Sequence, residues 1–391
     1  MPSDSLSIES LCAELDLPEW VADFRHAAGE KVVFGPGTLE ILGKEAARLG
    51  GSRVLVVTDP GLARTGFVQR AHDSLKQQGL HVAIYDQVRE NPTTEDVDRC
   101  VAFAKTEGID LIVGLGGGSS LDTAKGCNFI LTNGGRMQDY WGVGKATQPM
   151  LPFIAVPTTS GTGSECQSFA LIADAETHAK MACGDAKCAA AVSILDPELT
   201  VTMPALVTAH TGIDAIAHAL ETAVCKQRSE ISSAHSAAAW RLLDAGLPRV
   251  LADPRDLEAR ARMLLGSAFA GTAIENSMLG IAHSCANPLT AHYGIVHGQA
   301  VGTMLPHVVA FNRADAAAAA IYDTLSGGDD LAACVRGHLA ACGMDRSLRD
   351  LGVDEAMLPQ LAAEAATQWT ARFNPVEVDA EKLEQVYRAA W

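Results

Sequence analysis

The chain has 391 residues, a formal net charge of −17 and 48% hydrophobic residues, which suits two domains with a core each and argues against nucleic acid or an anionic membrane surface as partner. No apolar run reaches the ~18 residues of a transmembrane helix, and the stretch 1–9 lacks the basic and apolar pattern of a signal peptide, so a cytoplasmic protein is expected. The ten cysteines contain no CxxC pair, Cys183 and Cys188 being the nearest two, which points to reduced thiols rather than a disulfide framework.

In chain order, β-rich runs alternate with helical patterns through the first half. Strands are predicted at 31–34, 53–58, 81–85, 110–115 and 152–156, mostly as continuous apolar runs of the kind buried in parallel sheets. Helices are predicted between them, at 68–78 and 95–107 for example. That alternation implies βαβ units and a doubly wound parallel sheet. After Pro197 the pattern changes, and from Pro204 the chain is Ala- and Leu-rich with helical periodicity. The expected division is a nucleotide-binding α/β domain over 1–198 and an all-α metal-binding domain over 199–391.

Four residues stand out as metal ligands. Asp214 and His218 lie four apart in a helical segment, which puts both on one face. His283 and His297 fall in a stretch, 280–299, almost free of formal charge. One carboxylate and three imidazoles suit a divalent first-row metal. With a position left open, such a metal is a Lewis acid.

A second signal is Leu115-Gly-Gly-Gly-Ser-Ser-Leu-Asp-Thr-Ala-Lys125, which follows a predicted strand and opens a helix. Glycines let backbone N–H groups approach an anion, and the helix start favours its charge. A tight turn without a ligand is the plainer alternative. Asp59, ending the 53–58 strand, suits a ribose hydroxyl and so NAD rather than NADP, or else only caps its own loop. Small hydroxyls and glycines in the loop 157–165 follow the 152–156 strand, at the edge where open α/β sheets bind ligands.

Gly116-Gly-Gly-Ser-Ser-Leu-Asp-Thr-Ala-Lys125, Pro157-Thr-Thr-Ser-Gly-Thr-Gly-Ser-Glu165, Asp196-Pro-Glu-Leu199, Gly212-Ile-Asp-Ala-Ile-Ala-His-Ala-Leu-Glu221, Val296-His-Gly298 and Leu305-Pro-His307 together resemble the iron-containing (group III) alcohol dehydrogenase family. The resemblance runs from about 31 to 375. It implies a dehydroquinate synthase-like fold, with a site in the cleft between an N-terminal nucleotide-binding domain and a C-terminal helical one. The family's metal ligands map onto Asp214, His218, His283 and His297, and its NAD contacts onto Asp59, Asn91, Gly117, Gly118, Ser119, Asp122, Thr158, Thr159, Thr162 and Lys180. Fe²⁺ is the implied metal, with Zn²⁺ as the alternative, and a dimer or larger homo-oligomer is implied. One departure is Asn287, where many members carry a histidine four residues after the third ligand. Asparagine does not titrate near neutral pH, so a proton relay would pass to water, His210 or His292.

The expected function is hydride transfer between a small alcohol or aldehyde and NAD, with the substrate oxygen on the metal. The absence of Lys and Arg from 271 to 312 favours a neutral substrate. The competing readings are a dehydroquinate synthase-like lyase, a hydroxyacid–oxoacid transhydrogenase and a non-catalytic binding module on the same scaffold. His307 and the other histidines, His26 among them, are expected to be packing or surface groups. Cys285 is expected to be buried packing rather than a nucleophile.

Overall fold

A computed structural model describes residues 6–15, 19–22, 24, 29 and 31–391. His26 and the first five residues, on which part of the leader reading rests, lie outside the described residues. The chain forms two compact units, Met1–Met203 and Pro204–Trp391.

The first unit is built on a six-stranded, wholly parallel sheet. Its strands are β1 (Val32–Phe34), β2 (Arg53–Val57), β3 (His81–Tyr85), β4 (Leu111–Gly116), β6 (Phe153–Pro157) and β9 (Val192–Leu195). They lie in the order β1-β9-β6-β4-β2-β3. Side chains alternate across the sheet, so each strand feeds two cores. Leu55 and Val57 join Ile112, Phe153 and residues of the helices Thr94–Glu107 and Gly118–Asn133 on one face. Val54 and Val56 join Val113, Ile154 and residues of the helices Leu42–Arg48 and Phe67–Gln77 on the other. This is why the strands read as unbroken apolar runs.

β2 has β3 on one side and β4 on the other, so the winding reverses between β2 and β4. Open α/β sheets bind ligands at such a reversal, beyond the carboxyl ends of the strands. Asp59 follows β2, Gly117 follows β4 and Thr158 follows β6, so three neighbouring strands deliver their loops to one edge.

A small second sheet of β5 (Gly142–Val143), β8 (Lys180–Gly184) and β7 (Phe169–Ala173) was not foreseen. β5 has two residues, and β8 contains no β-branched or aromatic side chain, so neither carries a propensity signal.

The second unit is helical, with no strand among its residues. Its site rests on three helices: Ala205–Val224, Ile281–Tyr293 and His297–Asn312. Among the described residues no helix is long and apolar enough to cross a membrane. All ten cysteines are free thiols and eight are buried.

Candidate active site

The helix Ala205–Val224 carries Asp214, His218 and Glu221 on one stripe, at steps of four and three residues. Asp214 Oδ1 lies 3.6 Å from His218 Nε2, 3.4 Å from His283 Nε2 and 3.6 Å from His297 Nε2. Ligands ~2.1 Å from a tetrahedral ion lie about 3.4 Å from one another, so the spacing fits a divalent first-row metal. The His218 and His283 rings stack at 4.8 Å between centroids.

The hydrogen-bond pattern fits the same group. Glu221 Oε1 accepts from the Ala282 N–H at 2.6 Å, and Oε2 accepts from His283 Nδ1 at 2.5 Å. With its proton on Nδ1, the ring presents the Nε2 lone pair. That atom and Asp214 Oδ1 are both buried without a hydrogen-bond partner. Two electron-rich atoms facing each other in a buried place call for a cation.

Ionisation agrees. Burial opposes charge on Asp214, but the surrounding histidines, His218 foremost, hold its pKa far below the carboxylate range. Burial likewise opposes charge on His283, yet the Glu221 and Asp214 carboxylates outweigh it and lift the pKa to about 9. A cation therefore competes with a proton for this position. Asp214, His218 and His283 are buried, whereas the His297 side chain is 26% exposed, so the cluster is approached from the His297 side.

His297 depends on a close helix contact. A Cβ at Gly298 would stand 2.2 Å from the His210 backbone oxygen, so glycine alone lets the start of His297–Asn312 press against the Asp214 helix. His210 is one turn before Asp214. His292 is nine residues from His283, about 180° round its helix. It pairs with Glu364 at 2.8 Å, which removes it as a proton relay for this cluster. His307 is half-buried beside Arg336 and Arg346, away from the ligand set.

In the first unit, Gly117 caps the helix Gly118–Asn133 with no side-chain bond to its first amides. A Cβ at Gly118 would stand 2.7 Å from Thr162 Cγ2, so the β4 and β6 loops meet at van der Waals distance. Thr158 N–H donates to Gly116 O at 2.9 Å. The Asn91 N–H donates to Ser119 Oγ at 3.2 Å, and Asn91 takes a positive φ of 51° to do so. Asp59 Oδ1 accepts from the N–H groups of Gly61 and Leu62, each at 2.9 Å, so one oxygen caps the loop. Oδ2 is the atom turned toward Gly116.

Asp122 points inward and accepts from Ser164 Oγ at 3.0 Å. Burial raises its pKa against the pull of Lys125 and Ser164. Lys125 is fully buried and donates to Ser164 O and Oγ, Gln167 O and Phe169 O. Both residues thus brace the loop that carries Thr158, Thr159 and Thr162. Lys180, exposed at the start of β8, is near enough to favour ionisation of Asp122.

Sequence reasoning quoted Glu221 within a motif but gave it no role. Its spacing of three from His218 and seven from Asp214 was the available signal. Gln368, which pairs with Asn287 at 3.1 Å, had none.

Comparison with known proteins agrees over more than nine-tenths of the chain. The family model for iron-containing alcohol dehydrogenase matches residues 29–197, and that for the C-terminal part of the Fe-containing alcohol dehydrogenase family matches 208–391. The chain belongs to the iron-containing alcohol dehydrogenase family. It is 34% identical to the NAD-dependent methanol dehydrogenase of Bacillus methanolicus, over 92% of this chain and 97% of that protein. The crystal structure of a 1,3-propanediol oxidoreductase superposes with a TM-score of 0.88 at 33% identity, covering 93% of this chain and 98% of the other. Sulfoacetaldehyde reductase from Bifidobacterium kashiwanohense, solved with NAD⁺, superposes with a TM-score of 0.83 at 28% identity, covering 92% and 96%.

Proposed function

We propose that this chain is an NAD-dependent alcohol dehydrogenase that interconverts a small, neutral alcohol and its aldehyde or ketone at a divalent metal, Fe²⁺ by family and Zn²⁺ as the alternative. The observation that carries this reading is the approach of three imidazole Nε2 atoms to one buried carboxylate oxygen, at 3.4–3.6 Å. The metal would supply a Lewis acid that favours the alkoxide, and the nicotinamide would supply the hydride acceptor.

In this reading Asp214 gives the one negative charge of the ligand set. His218, His283 and His297 give neutral donors, and Glu221 fixes the His283 ring and its tautomer. The open amides of Gly118 and Ser119, at the start of a sixteen-residue helix, would take the pyrophosphate. Asp59 Oδ2 would hold a ribose hydroxyl, which favours NAD. Gly117, Asn91 and Ser119 shape that loop, with Asp122 bracing it. Thr158, Thr159 and Thr162 would lie by the nicotinamide half, and Lys180 would hold a ribose or phosphate oxygen. The first unit would then be the NAD-binding domain and the second the metal-binding one. A homo-oligomeric, cytoplasmic enzyme is the accompanying expectation, with no nucleic-acid or membrane partner.

The test is NADH absorbance with a panel of small alcohols, on protein loaded with Fe²⁺ or Zn²⁺ against a metal-stripped control. Metal-dependent NADH formation, lost in His283→Ala, is expected. Metal and NAD bound without net NADH formation would overturn the proposal in favour of the transhydrogenase or lyase.

A further inference from the structure

The motif that ends in His307 has no part in the metal site, yet it lines a cleft of its own. The cleft measures about 190 Å³ and lies wholly within the second unit. That is several times the ~30 Å³ share of one water in the liquid, so an anion of several heavy atoms has room there. Three basic side chains line it, each from a different element. His307 comes from the helix His297–Asn312, Arg336 from the helix Leu331–Ala341 and Arg346 from the stretch 342–350. Ten residues, or ~15 Å of helix, separate His307 from the metal ligand His297, so the cleft is distinct from the metal centre.

The stretch that carries Arg346 is fixed to its neighbours. Gln299 Nε2 donates to Met344 O at 2.9 Å, Thr303 Oγ1 donates to Arg346 O at 3.4 Å, and the Leu348 N–H donates to Ala390 O at 2.8 Å. The charges in the cleft are poorly matched. Among the described residues, neither the His307 ring nor the Arg336 guanidinium makes a hydrogen bond or an ion pair. Arg346 spends one N–H on Asp350 O. Asp345 gives the cleft its one carboxylate side chain and pairs with neither arginine. Positive charge therefore exceeds negative here, in a chain whose net charge is −17. Burial first, and then the charge of Arg336, hold the His307 pKa below its ordinary value, with Asp345 pulling the other way. An anion in the cleft would offset Arg336 and favour the imidazolium.

We propose that this cleft binds a phosphate group, free or on a short carbon chain, through His307, Arg336 and Arg346. The site stands independently of the dehydrogenase reading. Guanidinium groups match phosphate oxygens in pairs and stay charged at any working pH. Donors from three elements can surround a tetrahedral dianion, whereas a planar carboxylate offers two oxygens on one side. Leu339 and Trp391 add apolar wall, which suits a short chain on the phosphate, and Trp391 is held by its Nε1–H to Val353 O at 2.9 Å.

The experiment is calorimetric titration of the Zn²⁺-loaded, NAD⁺-saturated protein with propyl phosphate, inorganic phosphate and acetate, at constant ionic strength. It is repeated on Arg336→Gln and Arg346→Gln, both at exposed positions, with melting and metal content as controls of the fold. At least one of the two phosphates is expected to bind at one per chain, about tenfold or more tighter than acetate, and to be weakened by a similar factor in each variant. The ratio between the two phosphates tells whether the ester or the free ion is the better ligand. The ring-proton signal of His307, assigned through its loss in His307→Gln, is expected to titrate at higher pH when the phosphate is bound. Absence of binding, acetate bound as tightly, binding that both variants keep, or a His307 titration that phosphate leaves in place would overturn the proposal.

Discussion

Replacing Glu221 by glutamine keeps size and shape but changes what the group can accept. Both carboxylate oxygens are in use, one by the Ala282 N–H at 2.6 Å and the other by His283 Nδ1 at 2.5 Å. A glutamine has one acceptor oxygen, so its NH₂ must face one of these two donors, in a place where Glu221 is 3% exposed. Leaving a buried donor without a partner costs about 1–3 kcal/mol. If the amide keeps Ala282, the His283 tautomer is no longer fixed, and Nε2 no longer presents its lone pair reliably. Loss of an outer partner of this kind typically weakens metal binding 10–100-fold, or about 1.4–2.7 kcal/mol. Competition for Zn²⁺ against a chromophoric chelator at fixed pH measures the affinity, and melting of the metal-free protein measures the stability term. Both losses are expected in Glu221→Gln. A metal affinity within about threefold of the unmodified protein would refute the role given to Glu221.

Gly298→Ala is expected to destabilise the protein by about 2–3 kcal/mol in urea unfolding and to weaken metal binding, because the new Cβ meets the His210 backbone oxygen, which no rotamer change can relieve. Gly118→Ala is expected to weaken NAD⁺ binding by about tenfold in calorimetry while leaving metal content intact, since its Cβ would press on Thr162 at the proposed pyrophosphate loop. Glu165 supplies a pH test. Burial lifts its pKa from 4.5 to about 7, so the folded state holds the proton that the unfolded state has released. Its unfavourable contribution is absent below about pH 4.5, grows as pH rises through the window and is complete above about pH 7, reaching ~3 kcal/mol at most. The stability of Glu165→Gln relative to the unmodified protein should therefore rise across that window, and a difference that stays flat from pH 4.5 to 8 would contradict the assignment.

The parallel sheet was legible because its strands are buried on both faces, and so appear as apolar runs such as 53–57 and 111–115. The helices Phe67–Gln77 and Thr94–Glu107 fell within a residue of expectation because their ends carry local signals. Thr93 makes a capping box with Asp96, and Gly108 closes the helix in the left-handed conformation. The small sheet had no comparable signal. Asp214 and His218 were legible as a pair through helix periodicity, and their meeting with His283 and His297 is a matter of tertiary packing. The contact of Gly298 with the His210 backbone, which seats His297, leaves no mark in local sequence. The same holds for the Asn287–Gln368 pair, joined across 81 residues.

The central claim is a metal centre made by Asp214, His218, His283 and His297. The most direct measurement is metal content, with X-ray absorption at the metal edge, for protein reconstituted with Fe²⁺ or Zn²⁺ and for its Asp214→Asn and His283→Ala variants. One metal per chain, in a nitrogen- and oxygen-only shell containing imidazole, with binding severely weakened in both variants, is the predicted result. A chain that takes up no metal, or variants that keep it with an unchanged shell, would contradict the account.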